Sequence, residues 1–144
     1  MSMIKHAFSF LLLLSLTACG VTPVATKHPQ VEFLLVQNKV SIDMHWQQLL
    51  TQDAEARSYA QFAPQYQSIL PRLKMLLELN KMRDHNEDSI EQSENLMALW
   101  LRDMKYHEEK NTISDFVIKR RTQQYQRMFD AMLLAENAKL EAKE

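Results

Sequence analysis

The 144-residue sequence predicts an all-α fold, a small bundle of four to five helices, on three observations. From Val31 onward, apolar residues recur at the three- and four-residue spacing of amphipathic helices. The segments between these runs are short and polar, as they are in helical bundles. Beyond residue 20 there is no glycine, which disfavours the tight turns of β-hairpins.

The first helix is predicted near residues 31–52, where two apolar stripes overlap. The stripes consist of Phe33, Val36, Val40 and Met44, and of Leu35, Ile42, Trp46 and Leu49. A β-hairpin that pairs 31–36 with 39–44 is the alternative, although its Gln37-Asn38 connection is poor turn chemistry. A short helical piece over 54–62 should stop before Pro64, because the residue before proline avoids helical geometry. The next helix should begin near 65, or restart at Pro71, and reach Met82.

The second half of the chain predicts two more helices, separated by short polar segments. Residues 83–88 form a polar loop, and Ser89 to Gln92 match a capping box that opens a helix ending near Lys110. Asn111 or Thr112 should cap the last helix. Residues 119–124 of that helix are all polar, so we expect a bend or a turn that leaves the core. The charged tail 136–144 should fray.

The start of the chain carries the most specific motif. Residues 7–16 are an apolar run that is too short to span a membrane but fits a signal peptide. The motif that follows, Leu16-Thr17-Ala18-Cys19, resembles the lipobox of bacterial lipoproteins. The resemblance covers residues 1–20 and implies cleavage before Cys19, which then carries diacylglyceryl and N-acyl lipid. A conventional signal peptide or a buried helix is the alternative.

The lipoprotein resemblance also implies a location and a domain organisation. In Gram-negative lipoproteins an Asp after the Cys favours the inner membrane, so Gly20 implies the outer membrane, with the domain facing the periplasm. A Gram-positive origin would change this expectation. Two or more acyl chains anchor a protein stably. The predicted organisation is a signal peptide over 1–18, a lipid anchor and flexible tether over 19–30, and a helical domain over 31–144.

Composition and spacing exclude several kinds of chemistry. The only cysteine and the only glycine are Cys19 and Gly20, so disulfides, cysteine-based zinc sites and glycine-rich phosphate loops are excluded. The net charge of −1 gives no reason to expect nucleic acid. The histidines after the leader lack metal-site spacing and are interpreted as solvated surface residues; they are His28, His45, His85 and His107. We therefore predict no cofactor, no metal site, no catalytic residue and no enzyme activity.

Two surface features are candidates for binding a partner. Basic residues on the last helix could contact an acidic partner, and flexible methionines suit adaptable grooves. The candidate residues are Arg120, Arg121, Arg127, Met128 and Met132. The alternatives are a solvated basic face and methionines that fill gaps in the core. Trp46 and Trp100 are core candidates first and binding anchors second.

The leading hypothesis is a non-enzymatic lipoprotein that acts as an adaptor of an envelope complex through protein–protein contact. In size and helical class the chain is similar to pilotins, which carry an outer-membrane channel subunit. Helical lipoproteins that regulate sensor kinases fit equally well. The alternative from another class is a carrier of small amphiphiles. A closed cavity of several hundred Å³ would favour the carrier, and an open apolar groove or patch would favour the adaptor.

Overall fold

The computed structural model describes residues 23–140 and confirms the all-α prediction. Four helices follow one another: α1 (Pro29–Thr51), α2 (Tyr59–Lys81), α3 (Glu87–Lys110) and α4 (Asp115–Asn137). A short 3₁₀ helix, Ala54–Ala56, lies between α1 and α2. The segments predicted as signal peptide and lipobox lie outside the described residues.

The four helices pack as antiparallel neighbours around one core. The contacts of α1 with α4 and of α2 with α3 are the most extensive, and α1–α2 and α3–α4 contacts close the bundle. The core is aromatic at its centre, and its largest fully buried side chains are Trp46, Trp100, Tyr66 and Phe129. Both tryptophans are therefore core residues, as predicted.

Helix α1 agrees with its prediction, and the β-hairpin alternative is wrong. Its two apolar stripes have different environments. The stripe of Leu35, Ile42, Trp46 and Leu49 is buried in the core. The other stripe faces outward, and it forms the surface described below.

Helix α2 departs from the prediction, because it runs through both Pro64 and Pro71 without interruption. A proline inside a helix costs about 3 kcal/mol through its lost hydrogen bond and its steric clash. Both proline rings face solvent, whereas one continuous face of α2 is buried in the core: Phe62, Tyr66, Ile69, Leu73 and Leu76. Burial of this face outweighs the local preference to stop.

The ends of α3 and α4 differ from the predicted caps. Helix α3 begins at Glu87 after Asn86, so Ser89 lies inside the helix and does not open a capping box. Its end at Lys110 is as predicted. Asn111 adopts a left-handed conformation (φ 53°) and ends α3, while its Oδ1 accepts the Tyr59 amide at 3.1 Å. The cap of α4 is Ser114, whose Oγ accepts the Val117 amide.

Helix α4 is continuous through its polar turn at 119–124. None of these six residues is buried, which agrees with the predicted departure of this turn from the core, but the helix stays attached to α3 there. Arg121 in that turn is paired with the buried Asp103 of α3. The polar turn therefore faces a buried carboxylate, and it needs no apolar side chain to stay packed.

The two ends of the predicted domain are better ordered than the sequence suggested. Residues 23–28 of the predicted tether pack against the bundle, with the Ala25 amide 3.0 Å from the His85 carbonyl oxygen. In the predicted frayed tail, Glu136 is buried within α4. Its carboxylate accepts hydrogen bonds from Arg83, Lys139 and the amide of His28. This buried acceptor fixes both segments to the bundle.

Candidate functional site

A cluster of histidine and aromatic rings lies at the centre of the bundle. His45 of α1 packs edge-on against Tyr66 of α2, with ring centroids 4.2 Å apart. Trp100 of α3 contacts the same tyrosine at 4.8 Å, and His107 contacts it at 5.8 Å. The prediction of solvated histidines is therefore wrong for His45 and His107, which are 2% and 0% exposed.

Both buried histidines are neutral, and their hydrogen bonds indicate where the proton lies. His45 Nδ1 is 3.0 Å from Gln65 Oε1, and Gln65 Nε2 donates to Gln48, so Nδ1 carries the proton. His107 Nε2 donates to the carbonyl oxygen of Arg57 at 2.8 Å. Burial lowers the pKa of His45 to about 4, and the neighbouring His107 acts in the same direction against the Gln65 hydrogen bond. Burial also lowers the pKa of His107.

A second buried polar group joins α3 to α4. The carboxylate of Asp103 accepts from Arg121 Nε at 2.7 Å and from the Tyr125 hydroxyl at 2.9 Å. Burial raises the pKa of Asp103, against the opposing effect of Arg121 and these hydrogen bonds. Burial also raises the pKa of Tyr125, and the adjacent carboxylate adds to this. Arg121 is therefore engaged in an ion pair between α3 and α4.

The other four candidate residues for partner binding have two different environments in the structure. Met132 is buried in the core and Met128 is half-buried against it, in agreement with the interpretation that methionines fill gaps in the core. Arg120 and Arg127 remain exposed. Arg120 borders a cleft of about 230 Å³ that Tyr106, Phe116, Val117 and Arg121 also line. Of the five candidates, only the two exposed arginines are well placed to meet a partner.

The outward face of α1 is a continuous row of exposed apolar side chains, which the sequence pattern did not separate from the buried stripe of the same helix. Its four apolar side chains are exposed: Phe33 by 59%, Val36 by 47%, Val40 by 52% and Met44 by 56%. We call these four residues the α1 stripe. Beyond Phe33, the only charged residues of α1 are Lys39 and Asp43. Both turn toward α4, where they bond Asp130 and Gln126, and the stripe itself is uncharged.

An open groove between α1 and α2 borders the α1 stripe. It encloses about 170 Å³ and is lined by Ser41, Met44, His45, Gln48, Gln65, Ser68, Ile69 and Arg72. Met44 belongs to both features, so the groove continues the stripe toward α2. Arg72 is the only charged residue in this lining, since His45 is neutral. The groove thus offers one cation beside an apolar edge.

The buried histidines bond glutamine and backbone groups, and no serine, threonine or cysteine nucleophile bonds either ring among the hydrogen bonds of residues 23–140. Within the same range, no group of His, Cys, Asp and Glu is arranged to hold a metal ion. Of the helices described, none is long and apolar enough to cross a bilayer.

Comparison with protein-family models, with curated proteins and with solved structures found no match for this chain. The fold therefore defines the class as a small all-α bundle with a histidine-containing aromatic core. The lipidation and sorting residues predicted from the lipobox are Leu16, Thr17, Ala18, Cys19 and Gly20, all outside the described part of the chain.

Proposed function

We propose that this protein is a lipid-anchored envelope lipoprotein and a non-enzymatic adaptor that binds a partner helix on the α1 stripe. The observation that carries the proposal is the outward face of α1, where four apolar side chains are exposed without a charge among them. Contact between such a face and water is unfavourable in free energy, because transfer of apolar surface out of water is favourable. A bound partner that covers the face would remove this cost.

A helix is the partner that fits the α1 stripe best. The stripe is one residue wide and follows helical spacing from Phe33 to Met44, about 16 Å along the axis. An amphipathic helix presents anchors at matching intervals, as in helix-in-groove recognition. Arg72 lies at the groove beside the stripe and would favour an acidic residue near the apolar face of the partner. We therefore expect an apolar helix face bordered by a carboxylate.

The lipid anchor rests on the lipobox resemblance of residues 16–19. An anchor on Cys19 would hold the domain at the outer membrane, facing the periplasm, and would raise its local concentration relative to membrane-bound partners. Because an anchored domain and a membrane-bound partner both diffuse in two dimensions, a small apolar contact area is enough to bring them together. A secretion complex, a pilus assembly complex or a membrane sensor would each supply such a partner.

The amphiphile-carrier alternative is less well supported than the adaptor. The interior between the four helices is filled by Trp46, Trp100, Tyr66 and Phe129, all of them fully buried. The clefts beside the helices are open ones: the α1–α2 groove encloses about 170 Å³, and a larger cleft of about 330 Å³ lies between Val24 and the start of α3. Neither is enclosed among the four helices, where a carrier would bury its ligand. The helices of the described bundle thus offer an outer face in preference to an internal chamber.

The Cys19→Ser variant tests the anchor. We expect it to lose labelling by a radioactive or clickable fatty acid and to move from the membrane to the soluble fraction, because serine has no thiol to acylate. The native chain, expressed in the same cells, serves as the control. Unchanged labelling and membrane fractionation of the variant would contradict the lipoprotein assignment.

The Val40→Asp variant tests the docking face. A photo-crosslinking residue placed at position 36 should give a discrete adduct in native envelopes, and Val40→Asp should reduce it at least tenfold, because a buried unpaired carboxylate opposes docking. Phe116→Asp is the matched control, since Phe116 is an exposed apolar residue at the start of α4, before the part of that helix that bonds α1. The circular dichroism and melting of both variants should remain native, because both side chains are exposed.

Other outcomes of the crosslinking experiment have definite meanings. An adduct at twice the mass of the chain would identify a second copy as the occupant of the α1 stripe. An adduct lost with Arg120→Glu but retained with Val40→Asp would move the docking site to the cleft beside Phe116. Either outcome would overturn the α1 stripe as the site for a heterologous partner helix.

A further inference from the structure

One end of the bundle carries three highly exposed apolar side chains close to where the predicted tether enters. They are Val24, Met82 and Leu140, which are 64%, 81% and 82% exposed. Val24 precedes α1, Met82 follows α2, and Leu140 lies beyond the end of α4. We call this end, with residues 23–28, the α2–α3 connection 82–86 and residues 138–140, the tether end.

Backbone contacts hold these three segments together. The Ala25 amide donates to the His85 carbonyl oxygen at 3.0 Å, and the Lys27 amide donates to the Leu140 carbonyl oxygen at 2.9 Å. The side chain of Arg83 donates to the carbonyl oxygen of Thr26. The segment 23–28 therefore packs between the α2–α3 connection and the end of α4. As a result, the three exposed apolar side chains lie at the same end of the molecule.

A buried cluster of charged side chains attaches the segment 23–28 to the bundle. Glu136 Oε1 accepts from the His28 amide at 2.7 Å and from Arg83 Nη2 at 2.9 Å. Lys139 Nζ donates to Glu136 Oε2 and to Asn86 Oδ1, each at 2.7 Å. Since the tether is tied down from Ala25 onward, it cannot act as a long spacer.

The length of chain between Cys19 and Ala25 sets how far this end can stand from a lipid anchor. Six residue steps reach about 20 Å at full extension, little more than half of the spacer length that residues 20–30 would span if they were free. We propose that the tether end rests on the surface of the lipid bilayer, with Val24, Met82 and Leu140 in the headgroup region. The proposal rests on the lipidation of Cys19 in the proposed function.

The charges at the tether end indicate how it meets the bilayer. Asp84 and Asp88 are exposed close to Met82, as are Lys81 and His85. Because acidic and basic groups are mixed, attraction to anionic lipid is weak, and the contact depends on the apolar side chains. Zwitterionic lipid should therefore suffice, and salt should have little effect on the contact.

This orientation also places the docking face. Helix α1 begins at Pro29 at the tether end, so it rises from the bilayer with Phe33 near the surface and Met44 about 16 Å further out. A partner helix lying along the α1 stripe would stand upright relative to the membrane. A juxtamembrane helix that continues from a membrane span would have this direction.

The experiment uses the full lipidated chain in phosphatidylcholine vesicles. Because Cys19 is the only native cysteine, Met82→Cys and Leu140→Cys each provide one free thiol for the environment-sensitive fluorophore NBD. Phe116→Cys is the matched control, since Phe116 is 71% exposed at the opposite end of α4, about 30 Å away. Nitroxide-labelled lipid should quench at least half of the fluorescence from positions 82 and 140 and less than a tenth from position 116.

The outcomes separate this proposal from the anchoring on which it rests. If the protein sediments with vesicles but all three positions escape quenching, the anchor holds and the tether end does not rest on the bilayer. Equal quenching at all three positions would mean that the domain has no fixed orientation, which also overturns the proposal. If the acylated chain is never formed and nothing sediments, the anchor itself fails, and the bilayer contact fails with it.

Discussion

Replacing Glu136 with alanine is expected to lower the free energy of unfolding by about 3–5 kcal/mol, the cost of breaking a buried ion pair from one side. Glu136 is 2% exposed and binds Arg83 and Lys139, whose side chains are 10% and 6% exposed. Burial alone would raise the pKa of Glu136, but hydrogen bonds from Arg83, Lys139 and the His28 amide outweigh it and lower that pKa. The variant would leave two cations without their counter-charge and would remove the acceptor of the His28 amide.

Urea denaturation followed by tryptophan fluorescence measures this effect, because Trp46 and Trp100 lie in the core. Lys39→Ala is the matched control. It removes an ion pair with Asp130, which is 64% exposed, so its cost should stay below about 1 kcal/mol. A loss below about 1 kcal/mol for Glu136→Ala would show that the cluster is not a structural hub.

The helical architecture was predictable because each helix carries its own apolar period. The start and end of α1 and the end of α3 at Lys110 agree closely with the sequence pattern. What the pattern could not supply is the choice between two faces of the same helix. Both α1 stripes are apolar, and only the packing of α2 and α4 against α1 determines that Trp46 is buried while Val40 is exposed.

Predictions from local sequence alone failed at positions where contacts with another helix outweigh the local conformational preference. Pro64 and Pro71 signal helix ends, yet the face of α2 that packs on the core keeps the helix continuous. The polar turn of α4 leaves the core as its pattern predicts, yet the helix stays attached to α3 there, because Arg121 meets a buried carboxylate. Neither result can be derived from spacing alone, because each depends on a residue of another helix.

The candidate site was predicted less well than the fold. Histidines without metal-site spacing suggested a solvated surface, but His45 lies on the same stripe of α1 as Ile42 and Leu49. That position was a usable signal, since residues three and four apart share a helix face. His107 offered a similar signal through Met104 and Trp100, which lie one and two turns earlier on α3. Polar residue type was given more weight than helical position.

Acidification is the second change with a large expected effect. We expect the free energy of unfolding to fall by about 3 kcal/mol between pH 6.5 and pH 4 from His45 alone. The folded-state pKa of His45 lies below that of the unfolded chain, so the unfolded state binds more protons in this window. Stability from His45 is therefore complete above pH 6.5 and is lost as the pH falls toward 4. The lowered pKa of His107 acts in the same direction.

Other groups modify the lower part of this pH window. The raised pKa of Asp103 means that the folded state takes up a proton more readily than the unfolded chain, which offsets part of the loss at low pH. The lowered pKa of Glu136 has the opposite sign, and its contribution is lost as the pH falls below the ordinary value of 4.5. Between pH 6.5 and pH 5 the two histidines should therefore dominate the slope.

Urea denaturation at half-unit steps of pH, for the native chain and for His45→Phe, isolates this contribution. Phenylalanine fits among the rings of Trp46, Phe62, Tyr66 and Trp100 and cannot titrate, so the variant should show a flatter stability curve between pH 6.5 and pH 5. Its stability at pH 8 is the reference for any cost of lost packing or of the Gln65 hydrogen bond. Gln47→Phe is the matched control, because Gln47 is an exposed residue of the same helix that carries no titratable group, so this variant should leave the slope unchanged. If His45→Phe and the native chain give parallel curves, His45 is protonated as easily in the folded bundle as in the unfolded chain, and the aromatic core does not hold it neutral.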